Sequence, residues 1–161
     1  MLYRISTTLC YIFFKIFFGL EIQGKEAFSF EGPFILASNH LSHLDPPLLA
    51  TSCPRKVGFL AKEELFVNKF VNWYFQNVGA IPIKRGSSDI RTMRLAIKTL
   101  KNKNLLVFPQ GTRGADFEAA FSGVGFLCKK SKASIVAAKV YGTDNILPKG
   151  SRFFRRGKVK V

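Results

Sequence analysis

The chain is poor in the residues that metal centres and disulfide frameworks require. Its 161 residues include 3 cysteines and 2 histidines. Cys10, Cys53 and Cys128 are too widely spaced for a zinc site and too few for a disulfide scaffold, so no metal is expected and reduced thiols are the default. Acid is scarce as well, with 10 Asp and Glu against 25 Lys and Arg and a net charge of +15. An imbalance of that size points to anionic partners. No internal repeat, low-complexity tract or interdomain linker interrupts the chain. Nor is there an uninterrupted apolar run of the about 20 residues that a spanning helix needs, because Arg4 and Lys15 break the one candidate. A signal peptide is not expected either, since no small-residue cleavage site follows that stretch.

What the chain has in excess is apolar area: 47% of its residues are hydrophobic and 17 are Phe. A chain of this size buries roughly 68–70% of its unfolded surface, enough for one core and not for two. Residues 1–22 form a candidate membrane-associating segment. At 100° per residue Arg4, Thr8, Tyr11 and Lys15 share a stripe, while Leu2, Leu9, Phe13, Ile16 and Leu20 lie opposite, as in an amphipathic helix lying in a membrane interface. A helix packed on the protein's own core has the same periodicity and competes with that reading.

Beyond Pro33, short aliphatic runs alternate with helical patterns. Strands are expected at Phe34–Ala37, Lys56–Ala61, Ala80–Ile83, Leu105–Phe108, Ser134–Tyr141 and Arg156–Val161, and helices at Pro46–Cys53, Glu63–Asn77, Ser88–Lys101 and Ala119–Lys130. The alternation predicts a single α/β domain over 23–161, with a mixed central sheet flanked by helices. Val159 and Val161 alternate with Lys158 and Lys160 where the chain stops, which reads as a C-terminus cut short.

Chemistry is concentrated at Ser38-Asn39-His40-Leu41-Ser42-His43-Leu44-Asp45-Pro46-Pro47. The segment follows a buried-looking strand, so it belongs to a strand-to-helix loop at the ligand-binding edge of the sheet. Pro46 suits a first helical turn and makes Asp45 a candidate N-cap. On a continuous helix residues five apart point about 140° away from each other, so His40 and Asp45 meet only across an irregular turn.

His40-x4-Asp45 preceded by Asn39, then Gly79-Ala80-Ile81-Pro82-Ile83-Lys84-Arg85-Gly86, then Phe108-Pro109-Gln110-Gly111-Thr112-Arg113, then Ile135-Val136-Ala137-Ala138, resembles the four ordered blocks of the glycerolipid acyltransferases. The bacterial 1-acyl-glycerol-3-phosphate acyltransferases are the nearest type. The resemblance runs on through Val140-Tyr141-Gly142-Thr143-Asp144 and Leu147-Pro148-Lys149-Gly150. It implies a glycerol-3-phosphate acyltransferase-like fold and transfer of a fatty acyl group from acyl-CoA or acyl carrier protein to the free hydroxyl of lysophosphatidate, with no cofactor. His40 is then the general base, since an alcohol is a poor nucleophile and free imidazole titrates near pH 6.5. Asp45 orients the ring, and His43 is a bystander. Gly111, Thr112 and Arg113 offer backbone N–H groups, a hydroxyl and a guanidinium to the phosphate, and Arg85 and Lys62 resemble basic positions lining the same pocket.

Three departures from the family pattern stand out. Gln110 replaces the Glu that opens the third block, Ala137 occupies the place of a Pro in the fourth, and Lys84 stands where the second usually has an acidic residue or a different polar one. The implied partners are membrane lipids, especially anionic ones, at the cytoplasmic face of the (inner) membrane, where the protein is peripheral or monotopic. Two alternatives stay open: a protein that keeps the fold as a membrane-binding module with little turnover, and an acyltransferase acting on another lysophospholipid or on glycerol 3-phosphate. Nucleic acid is not an expected partner, because net charge alone argues for it and no aromatic-basic motif or helix-turn-helix pattern supports it.

Overall fold

The computed structural model describes residues 1–83, 89–110 and 121–161. Strand β1, Phe34–Ser38, has all five residues buried. A strand with apolar side chains on both faces must be covered on both, the condition of an inner strand in a parallel sheet. β1 pairs with β4 (Asn104–Val107) on one side and β5 (Ser134–Ala138) on the other. β2 (Val57–Lys62) lies beyond β4, and β3 (Ala80–Ile83) forms the far edge, giving the order β3-β2-β4-β1-β5. Every pairing among these strands is parallel, so the expected mixed sheet is corrected to a parallel one. Helices α2 (Asp45–Ser52), α3 (Lys69–Asn77), α4 (Asp89–Thr99) and α5 (Phe121–Ser131) account for this, since each carries the chain back across the sheet before the next strand begins.

The pleat of β1 divides the core in two. Phe34 and Leu36 join the N-terminal helix α1 (Leu2–Phe18) and α2 in one cluster, with Phe14, Phe18, Leu20, Leu48 and Leu49. Ile35 and Ala37 join α4 and α5 in the other, with Ala96, Leu100, Val124 and Leu127. Of the expected α4 stripe, Met93, Ile97 and Leu100 turn inward while Ile90 stays exposed.

α1 differs from the expected amphipathic pattern. Its packing face is Tyr3, Thr7, Cys10, Phe14 and Phe18, because the two phenylalanines four residues apart carry the largest area that α2 and the sheet can cover. Each such burial contributes about 1.5–3 kcal/mol. Tyr3 ties the helix down further, its hydroxyl donating to Ala50 O at 3.5 Å and accepting from Val57 N at 3.1 Å. The outward face mixes Arg4, Thr8 and Lys15 with exposed Ile5, Leu9, Ile12, Ile16 and Phe17. Among the described residues no helix is long and apolar enough to cross a membrane. Gly19, left-handed at φ 55°, ends α1.

Three further expectations are corrected. The helix predicted over Glu63–Asn77 is a single 3-10 turn, Glu63–Leu65, followed by α3. Asn68 makes the break, since its side chain accepts from Val71 N at 2.9 Å and caps the second element. The strand predicted over Ser134–Tyr141 ends at Ala138. The strand predicted over Arg156–Val161 is reduced to isolated bridges from Lys160 to Glu21 and to Tyr141, although Val159 is buried as its alternation requires.

Candidate active site

The chain leaves β1 toward β2 and β3, but leaves β4 toward β5 on the opposite side. The strand order therefore reverses between β1 and β4, and in open α/β sheets ligands bind outside the carboxyl ends of the strands at such a point. The first and third motif blocks both emerge there. Residues 39–44 are not helical, and this irregular turn brings His40 and Asp45 together, Nδ1 to Oδ2 at 2.9 Å.

Asp45 is not the N-cap that its sequence context suggests. The helix begins at Asp45 itself, Leu44 occupies the cap without a side-chain hydrogen bond, and the carboxylate is turned back onto the loop. Oδ2 accepts from Leu41 N at 2.6 Å and Ser42 N at 2.8 Å in addition to His40. Oδ1 accepts from the Thr143 hydroxyl at 2.6 Å. A fully buried carboxylate needs such a donor set to offset its lost hydration, and Asp45 and Thr143 are both fully buried. Because Oδ2 already accepts two backbone N–H groups, it is the acceptor toward the ring as well. Nδ1 thus carries the hydrogen, and Nε2 holds the lone pair.

Two contacts set the plane and height of the imidazole. The ring stacks on Phe108 at the end of β4, with centroids 4.1 Å apart and an interplanar angle of 21°. The His40 backbone N–H donates to Gln110 Oε1 at 2.9 Å. The His40 side chain remains 18% exposed, enough to admit a substrate atom from one side. Asn39 anchors the loop from the other direction, its amide donating to Val140 O at 2.9 Å and accepting from Val140 N at 2.7 Å. That clamp takes both backbone groups of Val140, which is why β5 stops short. Gly142, left-handed at φ +82°, follows, and a Cβ there would stand 2.1 Å from Lys158 O. Glycine is required at that turn, and the turn delivers Thr143 to Asp45.

Gln110 thus reaches the loop through an oxygen, and a glutamate carboxylate can accept the same bond. Gln110→Glu is expected to leave the loop and its stability nearly unchanged, whereas Gln110→Leu strands the His40 N–H and costs about 1–3 kcal/mol. In a domain of this size that is a fall in Tm of roughly 2–4 °C per kcal/mol, readable by thermal unfolding.

The remaining expected site residues are placed less fully. Lys62 ends β2 at the same edge of the sheet with its side chain exposed. It lies two strand spacings from β1, roughly 10 Å. His43 is exposed. Gly111, Thr112, Arg113, Arg85 and Lys84 lie outside the described residues. Three contributors were not assigned a role from the sequence: Phe108, which sits in the third block, Asn39, noted there only as the neighbour of His40, and Thr143, which sits in the segment after the fourth block and whose partner is 98 residues away.

Residues 19–148 match the family model described as Acyltransferase. A 1-acyl-sn-glycerol-3-phosphate acyltransferase of Bacillus subtilis is 27% identical over 145 residues, covering 89% of this chain and 71% of the relative. A protein of the same name from Streptococcus pneumoniae is 30% identical over 112 residues, covering 68% of this chain and 42% of the relative. The crystal structure of the 1-acyl-sn-glycerophosphate acyltransferase of Thermotoga maritima superimposes with a TM-score of 0.83 at 28% identity, covering 98% of this chain and 65% of that one. The chain thus spans part of the length of each.

Proposed function

Because the chain belongs to the acyltransferase family, we propose that it transfers a fatty acyl group from a thioester to the free hydroxyl of 1-acyl-glycerol 3-phosphate, giving phosphatidic acid. The observation that carries this reading is the His40–Asp45 pair, with Nδ1 committed to a buried carboxylate and Nε2 left as the basic atom. The acceptor hydroxyl gives its proton to Nε2 as its oxygen attacks the thioester carbonyl. The tetrahedral intermediate then collapses, the C–S bond breaks, and the leaving thiolate takes the proton from the imidazolium. Asp45 stabilises that imidazolium without itself gaining a proton, the division of labour of a serine-hydrolase triad with the substrate supplying the hydroxyl.

No acyl-enzyme is needed. Burial pushes the Cys10 and Cys53 thiols up from their ordinary range, away from the thiolate form that a nucleophile requires. Activation is carried by the thioester of acyl-CoA or acyl carrier protein, so no cofactor enters. Arg113, with Gly111 and Thr112, binds the phosphate of the acceptor, and Arg85 and Lys62 add positive charge to its surroundings. The protein works at the cytoplasmic face of the membrane as a peripheral or monotopic enzyme. Acceptor and product are amphiphiles, and exposed Lys149, Arg152, Arg155, Arg156 and Lys158 suit an anionic lipid surface.

Thiol release from a long-chain acyl-CoA, followed with and without lysophosphatidate in detergent, tests the reading. Release that requires the acceptor supports it; release indifferent to the acceptor, or none from folded protein, sinks it. Running the same assay with glycerol 3-phosphate and with other lysophospholipids identifies the acceptor.

A further inference from the structure

The segment between β2 and β3 leaves large apolar side chains in the open. Val67 is 75% exposed, Phe70 73% and Trp73 54%, and Leu65 is half exposed in the turn before them. Four such residues within nine positions form a patch rather than the scattered exposure of an ordinary surface. Phe70 and Trp73 lie side by side, ring centroids 6.0 Å apart.

This patch is continuous with the outward face of α1. The Tyr74 hydroxyl donates to Ser6 Oγ at 3.2 Å, tying α3 to α1 at that point. Phe70 lies one helical turn before Tyr74 on the same face of α3. Ser6 in turn adjoins exposed Ile5 and precedes exposed Leu9 by one turn. Two helices distant in sequence therefore present one apolar ridge, and α1 alone, at 17 residues, makes it roughly 25 Å long. A ridge of that length matches an extended surface better than the knob of a small ligand. Phe and Trp are side chains of the membrane–water boundary, and exposed Lys69, Arg4 and Lys15 flank the ridge, as an anionic bilayer would require.

We propose that α3 and the turn before it, through Leu65, Val67, Phe70 and Trp73, form a second bilayer contact beside α1. The proposal rests on the reading of α1 as the membrane-facing helix and extends it to a segment outside residues 1–22. It also orients the enzyme. β2 ends, and α3 begins, at the carboxyl edge of the sheet, where His40 lies. Docking through Val67 and Phe70 therefore sets that edge close to the lipid, and an amphiphilic acceptor reaches the base without leaving the interface.

Trp73 is the only tryptophan in the chain, so its emission reports on this patch alone. The full chain is mixed with vesicles of phosphatidylglycerol and phosphatidylcholine in equal parts, and bound protein is measured by co-sedimentation while Trp73 emission is recorded. The expected result is a blue shift on binding and quenching by lipids brominated on the acyl chain. Phe70→Ser, which leaves the reporter in place, is expected to weaken vesicle binding roughly tenfold. Protein that sediments with vesicles while Trp73 keeps its solution spectrum overturns the α3 contact and leaves α1 as the anchor. Protein that sediments with no vesicle overturns both, whereas the acyl-transfer reading stands or falls separately on detergent-solubilised thiol release. A concentration-dependent blue shift without lipid assigns the patch to a second copy of the chain and likewise overturns the proposal.

Discussion

His40→Ala is expected to lower kcat for acceptor-dependent acyl transfer by roughly 10²–10⁴-fold, the range that a positioned general base supplies. Without Nε2 the acceptor hydroxyl keeps its proton as it attacks, and the departing thiolate loses the imidazolium as its proton donor. The fold should survive the change. Asp45 retains the Leu41, Ser42 and Thr143 donors, and the main loss is the imidazole stacked on Phe108. Acceptor KM should change little, because the residues assigned to the phosphate stand elsewhere in the sequence. Measuring kcat and KM alongside thermal unfolding separates a missing base from a damaged protein. A folded His40→Ala protein with undiminished kcat would falsify the assignment.

Asp45→Asn is expected to cost roughly 10²–10³-fold in kcat, the scale of removing one preorganised electrostatic partner of a transition state. The hydrogen-bond pattern decides which way the amide sits. Leu41 N, Ser42 N and His40 Nδ1 all converge on Oδ2, so the asparagine oxygen must occupy that position, with its NH2 toward Thr143. A flipped amide would set its own hydrogens against three donors. The imidazole therefore keeps its useful tautomer and loses only the negative charge that stabilises its protonated form. Asp45→Ala goes further, since it leaves buried donors without an acceptor at about 1–3 kcal/mol each, and it is expected to reduce folded yield as well as turnover.

Thr143→Val probes the same carboxylate from its other oxygen. The hydroxyl bond to Oδ1 is lost, the shape is nearly kept, and kcat is expected to fall roughly tenfold with acceptor KM unchanged, about the worth of a hydrogen bond to a charged group. Thr143→Ser should restore it. Equal loss in the Ser and Val variants would mean that the side chain acts through packing alone.

Local signals carried most of the elements. β1 was legible from an unbroken apolar run, and α4 from its helical spacing. The strand ends were less so, because side chains from elsewhere decide them. Ser134–Ala138 stops where Asn39 seizes Val140, a contact across 101 residues. The break before α3 was readable in principle from Asn68, but the surrounding apolar residues continue a helical pattern and mask it. The direction of the sheet was legible in principle, since a helix between successive strands returns the chain for parallel pairing and the unbroken apolar run of β1 marks an inner strand.

The same division holds at the site. Residue order by itself determined where the chemistry lies, because a chain with two histidines offers imidazole at one loop, and the four motif blocks place that loop in a glycerolipid acyltransferase pattern. It also determined that Asp45 stands near a helix start, through Pro46. Which way the carboxylate faces was decided only by tertiary structure. A cap and a ring-orienting partner are the same residue at the same position, and they differ in which donors surround them. Those donors are Leu41 and Ser42 in an irregular turn and Thr143 far along the chain, held by the Asn39 clamp and by a glycine turn pressed against Lys158. Likewise the periodicity of α1 was visible in the sequence, but which stripe turns inward was settled by the faces that α2 and the sheet had free to cover.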